Sequence, residues 1–222
     1  MAVKLGDLGF LRDVILETVV STYGVDGKPN AAPMGVIMRD ECHVVIKPFT
    51  SSSTYSNLQL RLCGVVNIVS DPKIFYLTAF KEANVDGVLP FEWFDRAEMV
   101  DAPRLRVAEA FIEFSVVDIK LLEVGRAEVL CRVESIKASN TLPKAYCRAS
   151  FAVIESIIHA TRIKSFLRDY VREKENILKL LDLIKYYYGI VVRVAPNSYY
   201  SEIMIDLMKR ISSWGIRFED LC

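Results

Sequence analysis

Histidine is nearly absent from this chain. Only His43 and His159 occur in 222 residues, too few for the multi-histidine metal centre of a typical zinc or iron enzyme. The five cysteines, Cys42, Cys63, Cys131, Cys147 and Cys222, are odd in number and form no CxxC pair. That spacing argues against both a zinc site and a disulfide framework, and predicts reduced, mostly buried thiols. No charge of one sign dominates: 28 Lys and Arg balance 28 Asp and Glu, without the basic block expected of a nucleic-acid partner. The longest apolar runs, such as Gly189 to Val194 broken by Arg193, fall short of the about 20 residues that cross a bilayer, so no membrane partner is expected. Met1 to Phe10 lacks the apolar stretch of a signal peptide, and a cytoplasmic location is expected. A GxGxxG dinucleotide fingerprint is also missing. With so few groups for proton or metal chemistry, any redox or group-transfer reaction falls most naturally to a cofactor.

What is present is apolar material in two different rhythms. Asp13 to Tyr23, Ala31 to Arg39 and His43 to Phe49 are β-branched and apolar segments separated by turn formers, Gly24 to Asn30 and Asp40-Glu41, and predict an antiparallel meander. Ser53 to Leu62 changes to helical spacing, and Gly64 to Ser70 returns to a strand. Asp71-Pro72 reads as a cap with proline at the first helical position, opening a short helix over Lys73 to Phe80. Glu82 to Pro103 reads as a long loop anchored by Phe91, Trp93 and Phe94. Leu105 to Asp118 and Glu123 to Ile136 supply two more strands. Beyond Asn140 three amphipathic helices follow, marked by Cys147 to Thr161, Ile177 to Ile184 and Ile203 to Trp214. Gly189 to Val194 suits either helix or strand. The fold class expected is α+β, with about six antiparallel strands in a small barrel over residues 1–140 and a helical region over 141–222.

The segment Lys47-Pro48-Phe49-Thr50-Ser51-Ser52-Ser53-Thr54-Tyr55-Ser56-Asn57-Leu58 puts small hydroxyl residues where a strand gives way to a helix. If Ser51 or Ser52 caps that helix, its first N–H groups and neighbouring hydroxyls form a place for an anion. The same serines also suffice as a cap and nothing more. Asn30-Ala31-Ala32-Pro33-Met34-Gly35-Val36 opens the second strand with small residues that let a flat ligand approach the backbone, or simply begins a strand.

Together, the AAPMGV strand, the third strand ending in Pro48-Phe49, the hydroxyl segment and Val65 to Asp71 resemble the FMN-binding split barrels. The combination is most similar to the mainly archaeal domain-of-unknown-function 447 family, in which such a barrel carries a helical C-terminal region. Tyr146 to Arg162 resembles that family's first C-terminal helix. The resemblance implies a homodimer that binds FMN near the subunit interface, with relatives among flavin reductases and pyridoxamine-phosphate oxidases. It implies that Ser51, Ser52, Ser53, Thr54 and Asn57 hold the phosphate and ribityl chain, with Ser52, Thr54 and Asn57 foremost, and that Asn30 to Val36 line the isoalloxazine. Many split-barrel relatives place an arginine at the phosphate, whereas this stretch offers Lys47 and hydroxyls. The expected function is an FMN-dependent oxidoreductase of the flavin reductase type, with NADH, NADPH or another protein as electron donor. The alternative is a protein that binds FMN or another phosphorylated ligand without turnover.

Several residues stay open at this stage. Arg61 follows Thr54 and Asn57 on one helical face, as a further donor or a solvated charge. Asn67 lies among valines and isoleucines and needs a partner, in the chain or in a ligand. Arg148, Glu155, His159 and Arg162 share a polar stripe. They form a surface ladder of charges, or Arg148 or Arg162 reaches the anionic cofactor. Phe91, Trp93 and Phe94, and the run Tyr186-Tyr187-Tyr188, suit packing, a pocket wall or a subunit contact.

Overall fold

Strands of alternating burial build the first half of the molecule. In the computed structural model, which describes residues 3–123, 125–138 and 147–216, β1 (Ile15–Tyr23), β2 (Pro29–Asp40), β3 (His43–Ile46), β4 (Cys63–Ile68), β7 (Ala110–Leu122) and β8 (Arg126–Ala138) close a barrel in the order β1-β2-β3-β8-β7-β4. Every pairing is antiparallel. Closure needs strongly curved strands, and the irregularities that bend them are visible as register shifts at Met38/Asp40, Glu113/Phe114 and Val116/Asp118. Inward residues such as Val20, Val36, Ile46, Val66, Ile112 and Phe114 fill the interior. Gly64 is what admits the Phe114 ring: a Cβ there would lie 2.7 Å from Phe114 Cζ and 3.0 Å from the Ser21 carbonyl. Helix α1 (Ser53–Arg61) lays Leu58 into the same core.

The expected long loop is more ordered than its sequence suggests. Residues 81–105 hold 3-10 turns at Lys81–Ala83 and Phe91–Trp93 and a two-stranded sheet of β5 (Phe94–Arg96) and β6 (Pro103–Leu105). The fully buried Glu113 carboxylate accepts the N–H groups of Glu98, Met99 and Val100 at 3.0, 2.6 and 3.3 Å, which fixes the turn between these strands. Phe94 is buried, whereas Phe91 is exposed.

Two compact units result. One comprises the described residues of Met1–Ser70 and Phe80–Leu142, the other those of Asp71–Ala79 and Pro143–Cys222. Helix α2 (Pro72–Ala79) therefore belongs with α3 (Arg148–Phe166), α4 (Tyr170–Val194) and α5 (Tyr199–Ser213), although it is embedded in the barrel's sequence. The expected boundary at 140–141 lies outside the described residues. Gly189 to Val194 continues α4 as helix. Inside the helical unit, Ala149, Ala152, Val153, Ile157, Ala160 and Ile163 form the buried stripe of α3. Tyr76 of α2 donates to the Asp206 carboxylate and accepts from Arg210 Nε of α5 at 3.1 Å, and burial first, then Asp206, raises its hydroxyl pKa to about 12. No helix among the described residues is long and apolar enough to cross a membrane. Of the described cysteines, Cys63 and Cys131 are buried, Cys147 is intermediate and Cys42 is exposed. Cys222 lies outside the described residues.

Candidate functional site

The helix predicted from Ser53 begins where the hydroxyl run places it. Ser52 is the N-cap, in extended conformation, and its Oγ accepts the Tyr55 N–H at 3.2 Å. The same hydroxyl donates to the Phe49 carbonyl at 2.7 Å, so its one proton is committed within the turn. Ser51 and Ser53 are exposed beside it. The main-chain N–H groups of the first turn, at Ser53 and Thr54, carry the positive end of the helix dipole outward.

Thr54 and Asn57 turn toward the barrel. Both are buried, and both tie the helix to the barrel. Asn57 Nδ2 donates to Thr22 Oγ1 of β1 at 2.9 Å, and Thr54 Oγ1 accepts from Asn30 Nδ2 of β2 at 3.4 Å. Asn30 in turn accepts a hydrogen bond from Lys81 Nζ, 51 residues away in sequence. A polar chain thus runs from the first turn of α1 through the start of β2 to a lysine. Burial holds the Lys81 pKa below the ordinary lysine value, with the neighbouring Glu82 opposing that shift. The sequence offered no sign of it, since a lysine just after an apolar helix reads as an ordinary surface residue.

The wall expected from Asn30 to Val36 divides in two. Successive strand residues face opposite sides, and Ala31 and Val36 expose no surface at all; Ala32, Pro33, Met34 and Gly35 are partly exposed. Gly35 leaves no open space for a ring at its own Cβ position, because Ile15 Cγ2 would lie 2.8 Å from it. The main chain is more telling. Over Pro29–Gly35 β2 pairs with β1 on one side and with no described strand on the other, since the β3 pairing begins at Val36. A proline is tolerated where its missing N–H leaves the ladder intact, so Pro29 and Pro33 mark the residues whose main-chain groups face the open edge. By parity Ala31 and Gly35 face it too.

The remaining candidates separate from this cluster. Lys47 pairs with Glu128 at 3.1 Å. Asn67 is fully buried, donating to Val19 O, Ser21 Oγ and Val65 O at 2.9, 2.8 and 3.2 Å and accepting from Leu105 N at 2.8 Å. Its partners are all in the chain, so no ligand contact is left to it. Arg61 Nη2 donates to the Gly24 carbonyl at 3.0 Å, fastening the end of α1 to the β1–β2 turn. Arg148 and Arg162 are exposed on α3 in the helical unit, about 21 Å apart along its axis, too far for both to serve one phosphate. The polar stripe they were expected to share is broken by His159, which is buried with its ring 5.9 Å from that of Tyr187. A further cation does stand by the hydroxyl run: Arg126 stacks 3.9 Å from the Phe49 ring centroid and donates to the Lys47 carbonyl at 2.9 Å.

Residues 16–149 match the family model described as the N-terminal domain of a protein of unknown function (DUF447), and residues 147–210 match the model described as protein of unknown function (DUF447). Among solved structures, the chain is similar to an FMN-bound protein of Methanosarcina mazei, with 23% identity and a TM-score of 0.74, covering 93% of this chain and 99% of that one. It is also similar to the 2-nitrobenzoate 2-nitroreductase of Pseudomonas fluorescens (20% identity, TM-score 0.46, 57% of this chain and 67% of that one). A third similar structure is nitrilotriacetate monooxygenase component B of Mycobacterium thermoresistibile (18% identity, TM-score 0.47, 57% and 70%). At 23% identity the likeness to the Methanosarcina mazei protein is one of fold.

Proposed function

The chain belongs to the DUF447 family of proteins of unknown function, and from that premise we propose that it is an FMN-binding flavoprotein whose cofactor lies against the barrel unit. The observation that carries this reading is the polar chain Thr54–Asn30–Lys81 beside the exposed hydroxyls that open α1. The residues present fit the group. The first-turn N–H groups of α1 with the Ser51 and Ser53 hydroxyls would hold the phosphate, and the one-sided edge of β2 from Ala31 to Gly35 would offer main-chain donors and acceptors to a heterocycle. The FMN-bound state of the similar Methanosarcina mazei protein supports the choice of ligand.

FMN, when bound, supplies hydride and electron chemistry, and the protein supplies binding, orientation and exclusion of water. We extend the proposal to an oxidoreductase acting as a homodimer in the cytoplasm, with NADH or NADPH as donor. The test is a purified, FMN-loaded protein titrated anaerobically with each donor, its mass measured in solution. Bleaching of the yellow flavin absorbance supports the enzyme. Colour that no donor bleaches favours a binding protein without turnover, and protein that takes up no FMN overturns the flavin reading.

A further inference from the structure

The cradle of hydroxyls and helix N–H groups carries no full positive charge, and the cations near it differ in how they are committed. Lys47 is neutralised by Glu128. Arg126 is stacked on Phe49 and bonded to a main-chain carbonyl. Lys81 is different. It lies in the barrel unit, in the 3-10 turn Lys81–Ala83, partly buried, with the Glu82 carboxylate as a charged neighbour, and the hydrogen bond its ammonium makes among the described residues goes to the neutral amide oxygen of Asn30. An ammonium has three donors, so two remain for a ligand. The turn that carries it is held in place by Asn84, whose main-chain N–H and side-chain Nδ2 both donate to the Lys81 carbonyl, at 3.0 and 2.9 Å.

A partly buried ammonium is a cost to the empty protein that the exposed Glu82 carboxylate offsets only in part, and the cost is relieved further when an anion arrives. The depressed pKa of Lys81 is the signature of that cost. The Asn30 amide aims the lysine: its oxygen holds the ammonium while its nitrogen is held by Thr54 in the first turn of α1. Asn30 is itself more than nine-tenths buried, so the relay is fixed by packing.

We propose that Lys81 is the specificity-determining residue of the site, reading a terminal phosphomonoester and so selecting FMN over riboflavin. This rests on the flavin reading above. A phosphomonoester carries close to two negative charges at neutral pH, which repay the desolvated ammonium, whereas riboflavin brings a hydroxyl that leaves it unpaired. A dinucleotide flavin presents a diphosphate bridge with one charge on each phosphoryl group and no terminal phosphate, and is held less tightly than FMN for the same reason.

The experiment titrates apo wild type, Lys81→Met and Lys81→Gln with FMN and with riboflavin, and compares the ratio of the two affinities within each protein. Any general loosening of the fold acts on both ligands and cancels in that ratio. Wild type is expected to prefer FMN, and both variants to lose roughly 10- to 100-fold of that preference through weaker FMN binding, the range of a charge-assisted hydrogen bond. Riboflavin affinity is expected to stay unchanged. A preference that survives in either variant overturns the assignment and leaves the flavin reading standing, as does a wild type that binds both flavins equally. A wild type that takes up neither flavin overturns the flavin reading and the assignment together.

Discussion

Two buried asparagines divide the barrel unit into a region that is closed and a region that is open. Around Asn67, where β1, β4 and β6 meet, the amide donates to Val19, Ser21 and Val65 and accepts from Leu105, and Ser21 Oγ continues to the Pro103 carbonyl at 2.5 Å. Every link ends on the chain itself. Around Asn30, where β2 meets α1, the links end on the Thr54 hydroxyl and on an ammonium. Both regions satisfy the rule that buried polar groups find partners. They differ in charge: the first is neutral and saturated, and the second contains a cation with donors to spare. A saturated network specifies a fold, while a network that ends on an unpaired charge is stable only in proportion to what later pairs with it.

The largest effect that would break this comparison belongs to Asn67. Replacing it with Ala leaves the Leu105 N–H buried without an acceptor and the carbonyl of Val19 without its side-chain donor. We expect a loss of about 3 kcal/mol or more of stability, read as a lowered midpoint in urea, with FMN affinity of the folded protein unchanged. Asn30→Ala is expected to do the reverse. The Lys81 ammonium loses the group that aims it, so FMN affinity should fall about tenfold in a direct titration, with stability changed less than in Asn67→Ala. If Asn30→Ala destabilises as strongly and leaves FMN binding intact, the distinction between the two regions fails.

How far this contrast was legible in the sequence depends on the range of the interactions. The barrel strands were readable because alternation and turn residues are local signals, and α1 because Ser52 sits where a cap must sit. The C-terminal helices followed from their 3.6-residue spacing. Residues 82–103 were not readable, since strands of three residues carry no period and their order comes from Glu113, 13 to 15 residues downstream of the N–H groups that it holds. At the site, the sequence located the hydroxyl run and the β2 segment. It could not show that Thr54 and Asn57 turn inward, or that Lys81 reaches Asn30. Those facts depend on a closure of the chain over 51 residues, and nothing near Lys81 in the sequence marks it.

The helical unit supplies a smaller, sharper version of the same contrast, because His159 is buried there with Nδ1 unpartnered among the described residues. Burial lowers its pKa from the ordinary 6.5, Glu155 opposes that shift and Arg162 reinforces it. The folded state therefore favours neutral imidazole. Above pH 6.5 both folded and unfolded chains are neutral at this position and no penalty arises. As pH falls below that value the unfolded chain takes up a proton that the folded one resists, so stability declines by at most about 1.4 kcal/mol per pH unit. Urea unfolding followed between pH 7 and pH 5 should show a decline that His159→Gln removes. An identical pH dependence in the variant would mean that other groups carry it.

Ser52 provides the finest test, because it sits within the proposed cradle yet has the bonding pattern of Asn67. Its hydroxyl accepts from the Tyr55 N–H and donates to the Phe49 carbonyl, so the one proton it could give a phosphate is used before any ligand arrives. Ser53, next to it, is exposed. If saturation separates structure from binding at the scale of one hydroxyl, Ser52→Ala should cost about 1 kcal/mol of stability as a lost cap and change FMN affinity little. Ser53→Ala should leave stability within about 0.5 kcal/mol and weaken FMN binding about tenfold, the low end for a hydrogen bond to a charged group. Equal effects of the two substitutions on affinity would show that ligand binding reorganises the turn from Phe49 to Ser53, and the closed and open regions would then exchange partners when the site is filled.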